Sequence, residues 1–471
     1  MIETVSSLAR RAFALAALFA CSFAGAAERP NVVLFIADDL GWHDMGTYGN
    51  RDVRTPNIDK LASEGTKFNR AFAASPTCAP SRSALFTGLY PMRNGAHANH
   101  SIIEPNVRTW PQYLSELGYR TVIAGKTHIG PREQYPFEYL PSSNVSPPGK
   151  PEVLYTDLGV PAIENLLKTH DKNKPLALIV AAHSPHVYWL ENQGYDPASF
   201  TLPPYLLDTP KTREAMARYY TDVSQADKEV GQVRTALERY GYAKNTLFMF
   251  TSDQGPQFPF GKWSLYEAGM RVPLIAVWPG KTARNATNEA IVSLVDVLPT
   301  VIEVAGGTAP KDIDGRSFVD VLQGRATHHL DAAFAAHTGD GKMNRAPMRA
   351  IRTERYKYIV NLRPDIPYTS HISNANGKDG REYWDSWVEL AKTDPAAARM
   401  VQRFREHPPE ELYDLDHDPF ELTNLAQDAN YARTLMELRG KLDMWRLQQG
   451  ERLDFAPMPE DARHGELKYR E

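Results

Sequence analysis

The hydrophobic pattern is sharpest in four short runs, each closing on polar residues. Asn31 to Ala37 is apolar and β-branched and stops at Asp38-Asp39. Thr121 to Ala124 precedes Gly125-Lys126, Leu176 to Val180 precedes His183 and His186, and Thr246 to Phe250 precedes Asp253. Runs of this length, apolar at successive positions, predict parallel strands buried on both faces. Helical patterns over 109–117 and 212–240 lie between them. The alternation predicts an α/β fold, a mostly parallel sheet sandwiched by helices. Ligands in such sheets bind beyond the carboxyl ends of the strands. All four polar clusters sit there and are expected to converge on one site.

The last third reads differently. Ala350 to Val360 predicts an antiparallel hairpin, Pro408 to Asp418 a further strand, and Tyr431 to Gln448 a helix. This pattern predicts a smaller C-terminal α+β subdomain containing an antiparallel sheet. The expected division is a catalytic domain over 28–345 and a C-terminal subdomain over 346–471.

The amino terminus adds a processing signal. Arg10-Arg11 precedes an apolar run from Ala12 to Ala20, and Ala24-Gly25-Ala26 forms a small-residue cleavage site. Residues 1–27 therefore predict a signal peptide and an exported protein, periplasmic or secreted. The apolar run is shorter than the roughly 20 residues a membrane span needs. Arg10-Arg11 also resembles a twin-arginine signal, and Leu18 to Cys21 a lipoprotein box.

Composition changes the picture little: 42% hydrophobic and 23% charged residues in a chain of 471 are ordinary globular values. With 53 basic and 57 acidic side chains the formal charge is −4, which favours no nucleic-acid partner, so any anion site must be local. The cysteines matter more. There are two, Cys21 and Cys78. If Cys21 leaves with the signal, the mature chain has one cysteine and no internal disulfide, which is unusual in an exported protein.

The surviving cysteine lies in Cys78-Ala-Pro-Ser-Arg-Ser-Ala-Leu-Phe-Thr-Gly88. From these residues alone, a buried structural thiol and a thiolate nucleophile both stay open. The segment resembles the signature of type I sulfatases, with Cys78, Pro80, Ser81, Arg82, Thr87 and Gly88 matching. The resemblance implies an alkaline-phosphatase-like fold. It also implies oxidation of Cys78 to 3-oxoalanine (formylglycine) by a formylglycine-generating or anaerobic sulfatase-maturating enzyme. In that family one hydroxyl of the hydrated aldehyde attacks sulfur and the other is deprotonated to release sulfate.

The same resemblance assigns roles elsewhere. Asp38, Asp39, Asp253 and Gln254, with residue 78, would hold Ca²⁺ or Mg²⁺, Gln254 standing where asparagine is commoner. Lys126 and Lys262 would bind sulfate, His128 would act as base, His186 would face the sulfate or leaving-group oxygen, and Arg82 would orient the diol. Gly125 to Pro131, Tyr135 to Phe137, Ser184 to His186 and Pro347 to Arg349 are similar to the sulfamidase branch. A sulfated carbohydrate is the implied substrate, with N-sulfoglucosamine-type cleavage favoured over O-sulfate ester cleavage. A phosphodiesterase or phosphonate monoester hydrolase of the same fold is the second enzyme class. His97, His100, Trp189, Arg271 and His337 are nominated as substrate-lining residues because aromatic and basic groups suit a sulfated sugar.

Overall fold

The computed structural model describes residues 29–141, 158–374, 380–454 and 456. Residues 1–27, expected to form a signal peptide, lie outside the described residues together with Cys21. A large sheet carries eight strands: β1 (Asn31–Ala37), β2 (Thr66–Phe72), β3 (Arg120–Gly125), β4 (Glu138–Tyr139), β5 (Leu176–Ala181), β6 (Thr246–Ser252), β7 (Arg271–Val277) and β8 (Ala286–Ser293). Their spatial order is β4-β3-β5-β1-β6-β7-β2-β8. The run from β4 to β6 is parallel throughout, and β7 is antiparallel to both its neighbours. The sheet is thus mostly parallel, as the strand pattern predicted.

The four apolar runs fall on four adjacent strands, β3, β5, β1 and β6, which explains their continuous hydrophobicity. Alternation along β1 sends Val33, Phe35 and Ala37 into one core and Val32, Leu34 and Ile36 into another on the opposite face. The first core is closed by the helix Pro210–Arg239, which starts with proline after Thr209, whose hydroxyl accepts the Thr212 N–H. The second is closed by Trp110–Glu116 and Val297–Val304.

A second sheet of four antiparallel strands has the order β12-β11-β10-β9, with β9 (Ala332–His337), β10 (Met348–Thr353), β11 (Tyr356–Asn361) and β12 (Glu410–Asp414). The predicted hairpin is β10–β11. The expected boundary at 345/346 falls between the first two strands of this sheet, because β9 is the alanine-rich Ala-Ala-Phe-Ala-Ala-His, which carries no β-branched residue. The helix Ala432–Gln448 packs Leu438, Leu442 and Trp445 against Ile351, Tyr358 and Leu412 of this sheet.

The two sheets are joined by a buried ionic cluster. Lys357 of β11, fully buried, pairs with Glu267 Oε1 at 2.8 Å and Glu421 Oε1 at 3.0 Å, and Arg352 of β10 stands 3.4 Å from Glu267.

Candidate active site

All four polar clusters emerge at one end of the large sheet, and the first residue of the helix Cys78–Thr87 is set among them. Every residue of that helix is buried, and Gly88 ends it in a left-handed conformation (φ 67°). Cys78 Sγ lies 3.7 Å from Asp38 Oδ1, 3.7 Å from Lys126 Nζ and 3.2 Å from Gln254 Nε2. Burial pushes the thiol up to about 12, against the pull of Lys126 and Lys262. An unmodified thiol held so high supplies almost no thiolate at neutral pH, which counts against a direct thiolate nucleophile.

Arg82 sits one helical turn after Cys78 and therefore on the same face. Its Nε donates to Asp253 Oδ2 at 2.7 Å, its Nη1 to the Lys126 carbonyl at 3.2 Å, and its Nη2 stands 3.5 Å from Asp38. Ser81 Oγ donates to the Asp253 carbonyl at 2.5 Å. The signature segment is thus bound directly to the end of β6.

Lys126 is brought in by Gly125 (φ 84°), where a Cβ would come within 2.0 Å of the Ala181 carbonyl oxygen. Only glycine lets β3 finish that close to β5. Lys126 Nζ pairs with Asp38 Oδ2. Lys262 Nζ pairs with Asp39 Oδ2 at 2.7 Å, and Gln254 Nε2 donates to Asp39 Oδ1. Asp39 itself has φ 64°, a left-handed conformation that aspartate tolerates better than most side chains.

Three buried carboxylates thus face three buried or nearly buried cations, and their acidities are spread apart. Burial alone would raise all three. At Asp38 the charges of Lys126 and Arg82 outweigh it and hold the carboxyl well below its ordinary range. At Asp253 burial prevails and the carboxyl rises to about 7. Burial also prevails at Asp39, aided by the Asp38 charge and opposed by Lys262.

The donor set suits a hard divalent cation. Asp38, Cys78 and Asp253 offer ligand atoms within 4.8 Å of one another, as do Asp39, Cys78 and His186. Gln254 Oε1 is buried without a hydrogen-bond partner. An amide reversal would turn this oxygen to where its nitrogen now meets Asp39 and residue 78. An orphaned carbonyl oxygen beside three carboxylates is what an oxygen-ligated cation needs.

The histidines complete the ring. His186 Nδ1 donates to the Val187 carbonyl at 2.6 Å, so the neutral ring keeps its lone pair on Nε2, 3.7 Å from Asp39. Burial and the charges of Lys262 and Lys126 keep this ring neutral. His183, which has no counterpart in the sequence resemblance, stands 4.0 Å from Asp38 and is pushed down to about 4, chiefly by burial. His128 Nε2 meets His100 Nδ1 at 3.0 Å, so His100 lies at the rim of the cluster with its side chain 26% exposed.

Trp189, Arg271 and His337 are set apart from this ring. Trp189 stacks on Phe258 with centroids 5.1 Å apart, and its Nε1 donates to the Pro185 carbonyl, bracing the turn that carries His186. Arg271 lies over the Trp42 ring at 3.6 Å, donates to the Asn69 carbonyl and pairs with Glu267. His337 is fully buried at the end of β9, and burial lowers it to about 4. His97 is lowered to about 4 by burial and the Arg349 charge, and its Nδ1 is buried without a partner.

Sequence reasoning missed Asn99, Trp263, Asp340 and His371, which gather beside the His100 rim. Only Trp263, next to Lys262, carried any local signal. Asp340 sits in a Gly-Asp-Gly loop that reads as an ordinary turn.

With this geometry in hand, comparison with known proteins is direct. Residues 30–307 match the sulfatase family, and residues 256–366 match "N-sulphoglucosamine sulphohydrolase, C-terminal". The chain is 32% identical to an ulvan-active sulfatase of Formosa agariphila, over 90% of this chain and 81% of the relative. It is 29% identical to human N-sulphoglucosamine sulphohydrolase, over 91% and 92% of the two chains. Among solved structures, one in complex with its substrate D-glucosamine-2-N,6-O-disulfate superposes with a TM-score of 0.68 and 22% identity, covering 90% of this chain and 98% of the other. It shares the fold. The chain belongs to the sulfatase family.

Proposed function

We propose that this protein is an exported sulfohydrolase that removes sulfate from sulfated carbohydrate, using formylglycine made from Cys78. The observation that carries the reading is the position of Cys78: buried at a helix start, within 3.7 Å of both Asp38 and Lys126, and beside Arg82, Lys262 and His186. Hydrated formylglycine there would supply the hydroxyl that takes sulfur and the second hydroxyl whose deprotonation frees sulfate, which serine lacks. Asp38, Asp39, Asp253 and Gln254 would hold Ca²⁺ (or Mg²⁺), a hard cation that draws charge from a sulfate oxygen.

The remaining work falls to the chain's own side chains. Lys126 and Lys262 are preorganised cations for the sulfate oxygens, already fixed by Asp38 and Asp39. Arg82, anchored on Asp253, orients residue 78. His128, kept neutral by burial and by the Lys126 charge, is suited to take a proton. His186 donates from Nε2 only once protonated, which fits a group that meets the leaving oxygen or nitrogen.

N-sulfated glucosamine is the favoured substrate class, supported by the match over residues 256–366. A sulfate ester on another polysaccharide is the alternative, supported by the ulvan-active relative. Free sulfate release from defined N- and O-sulfated saccharides, with peptide mass spectrometry of residue 78, tests both. Formylglycine lowers the cysteine residue mass by about 18 Da, and its absence from active protein would overturn the mechanism. Phosphodiester turnover far above sulfate turnover would overturn the sulfatase reading. Amino-terminal sequencing of secreted protein tests cleavage near Ala27.

A further inference from the structure

The carboxylate of Asp340, only 3% exposed, closes a line of side chains that leads to His128. Its Oδ2 accepts from Trp263 Nε1 and Asn99 Nδ2, each at 2.9 Å, and its Oδ1 stands 3.4 Å from His100 Nε2. The other nitrogen of that ring, Nδ1, is 3.0 Å from His128 Nε2. His371 Nε2 approaches Asp340 at 3.7 Å while its ring stacks on Trp263. The group is pinned to the nucleophile's own segment. The Ala79 N–H donates to Asn99 Oδ1 at 3.4 Å, and the Trp263 N–H donates to the Pro76 carbonyl at 2.9 Å.

We propose that Asp340 is a positioning residue that, through His100, fixes which ring nitrogen of His128 carries the proton. What His128 then does rests on the sulfatase reading; how it is held does not. A carboxylate can only accept, so Asp340 Oδ1 draws the His100 proton to Nε2. His100 Nδ1 then carries a lone pair, and His128 Nε2 must donate to it. The neutral His128 ring is left with its basic lone pair on Nδ1. Asn99 Nδ2 also lies 3.2 Å from His100 Nε2, but a neutral amide is a weaker partner than a carboxylate in deciding where that proton sits. Burial works against the charge on Asp340, and the hydrogen bonds from His100 and His371 outweigh it, holding the carboxyl well below its ordinary range. A buried aspartate that sets a histidine tautomer has the same logic as the orienting member of a hydrolase triad.

The test is Asp340→Asn. The amide keeps an oxygen for Trp263 and Asn99 but turns a donor toward His100, which reverses both tautomers. Long-range proton–nitrogen spectra of histidine-labelled protein, assigned with His100→Gln and His128→Gln, read this directly and need no turnover. The expected result is a His128 proton on Nε2 in the parent and on Nδ1 in the variant; an unchanged tautomer overturns the proposal. On an aryl sulfate, kcat of the variant should fall on the order of 10²-fold or more with KM within about threefold. A kcat within threefold overturns the relay. His100→Gln breaks the same line at a partly exposed position, so it decides the question if Asp340→Asn does not fold: it too should lower kcat at constant KM, and near-parent kcat overturns the proposal. A tautomer switch in a protein that releases no sulfate would support the relay while removing the sulfatase reading.

Discussion

Two buried ionic clusters of this molecule use the same chemistry and differ in what they leave unmatched. The cluster between the sheets sets Glu267 and Glu421 against Lys357, Arg352 and Arg271, and the cluster at the strand ends sets Asp38, Asp39 and Asp253 against Arg82, Lys126 and Lys262. Each contains one carboxyl held low by its cations, Glu267 and Asp38, and one raised to about 7 by burial, Glu421 and Asp253. Acidity alone therefore does not distinguish a site from a joint. What distinguishes them is closure. Arg271 lies over Trp42 and Arg352 over Phe72, so aromatic rings seal the joint. The strand-end cluster instead borders the partly exposed His183 and His186 and keeps Gln254 Oε1 buried without a partner, whereas Glu421 Oε1 in the joint faces Lys357 at 3.0 Å. Unfilled valence of that kind persists where a ligand completes it.

The sharpest way to break the comparison is Cys78→Ser. It should cut turnover on the order of 10⁴-fold or more while moving the melting temperature by no more than about 2 °C. Sulfate release near the parent level would remove the site from the strand ends. Lys357→Met should do the reverse. It leaves Glu421 without a cation and Glu267 with only Arg352 and Arg271, and should cost about 3–5 kcal/mol in denaturant unfolding, with kcat per folded molecule unchanged. A loss below about 1 kcal/mol would mean the joint is not structural.

Glu421→Gln probes the same joint through pH. Because the folded state raises this carboxyl from 4.5 to about 7, it retains a proton that the unfolded chain has released. The parent therefore loses stability as pH rises through that window, by up to roughly 3 kcal/mol. The glutamine variant lacks this slope, so its stability relative to the parent should improve between about pH 5 and 8. Parallel stability curves would show that Glu421 does not titrate there. The smallest effect is expected from Asp253→Asn, which should weaken divalent-cation affinity at least about tenfold by calorimetry. Equal affinity would leave the strand-end cluster without its distinguishing ligand.

The sequence revealed the centre of this arrangement better than its edge. β1, β3, β5 and β6 are apolar on both faces because helices cover both, so their pattern is continuous and their polar ends stand out. β2, β7 and β8 lie toward the other edge, where β8 opens with the partly exposed Ala286-Thr-Asn-Glu289 and β2 carries a bulge. Their local signal was correspondingly weak. In the site, Asp38, Cys78, Lys126 and Asp253 were legible because each follows a strand or lies in a specific motif. Asp340 was not, because its meaning comes from His100 and Trp263, 240 and 77 positions away in the chain. Arg271 illustrates the converse. Its chemistry suits a sulfated ligand, yet Glu267, one helical turn earlier, and the Trp42 ring already engage it.

The burial of the helix Cys78–Thr87 has a consequence for the life history of the molecule. Every residue of this helix is buried, so the folded protein offers none of it to a second macromolecule. For the conversion of Cys78 proposed above, folding would therefore be a deadline. If residue 78 is converted as proposed, a chain that closes around the thiol first would stay inert, and the active fraction of a preparation would be decided before the fold closes.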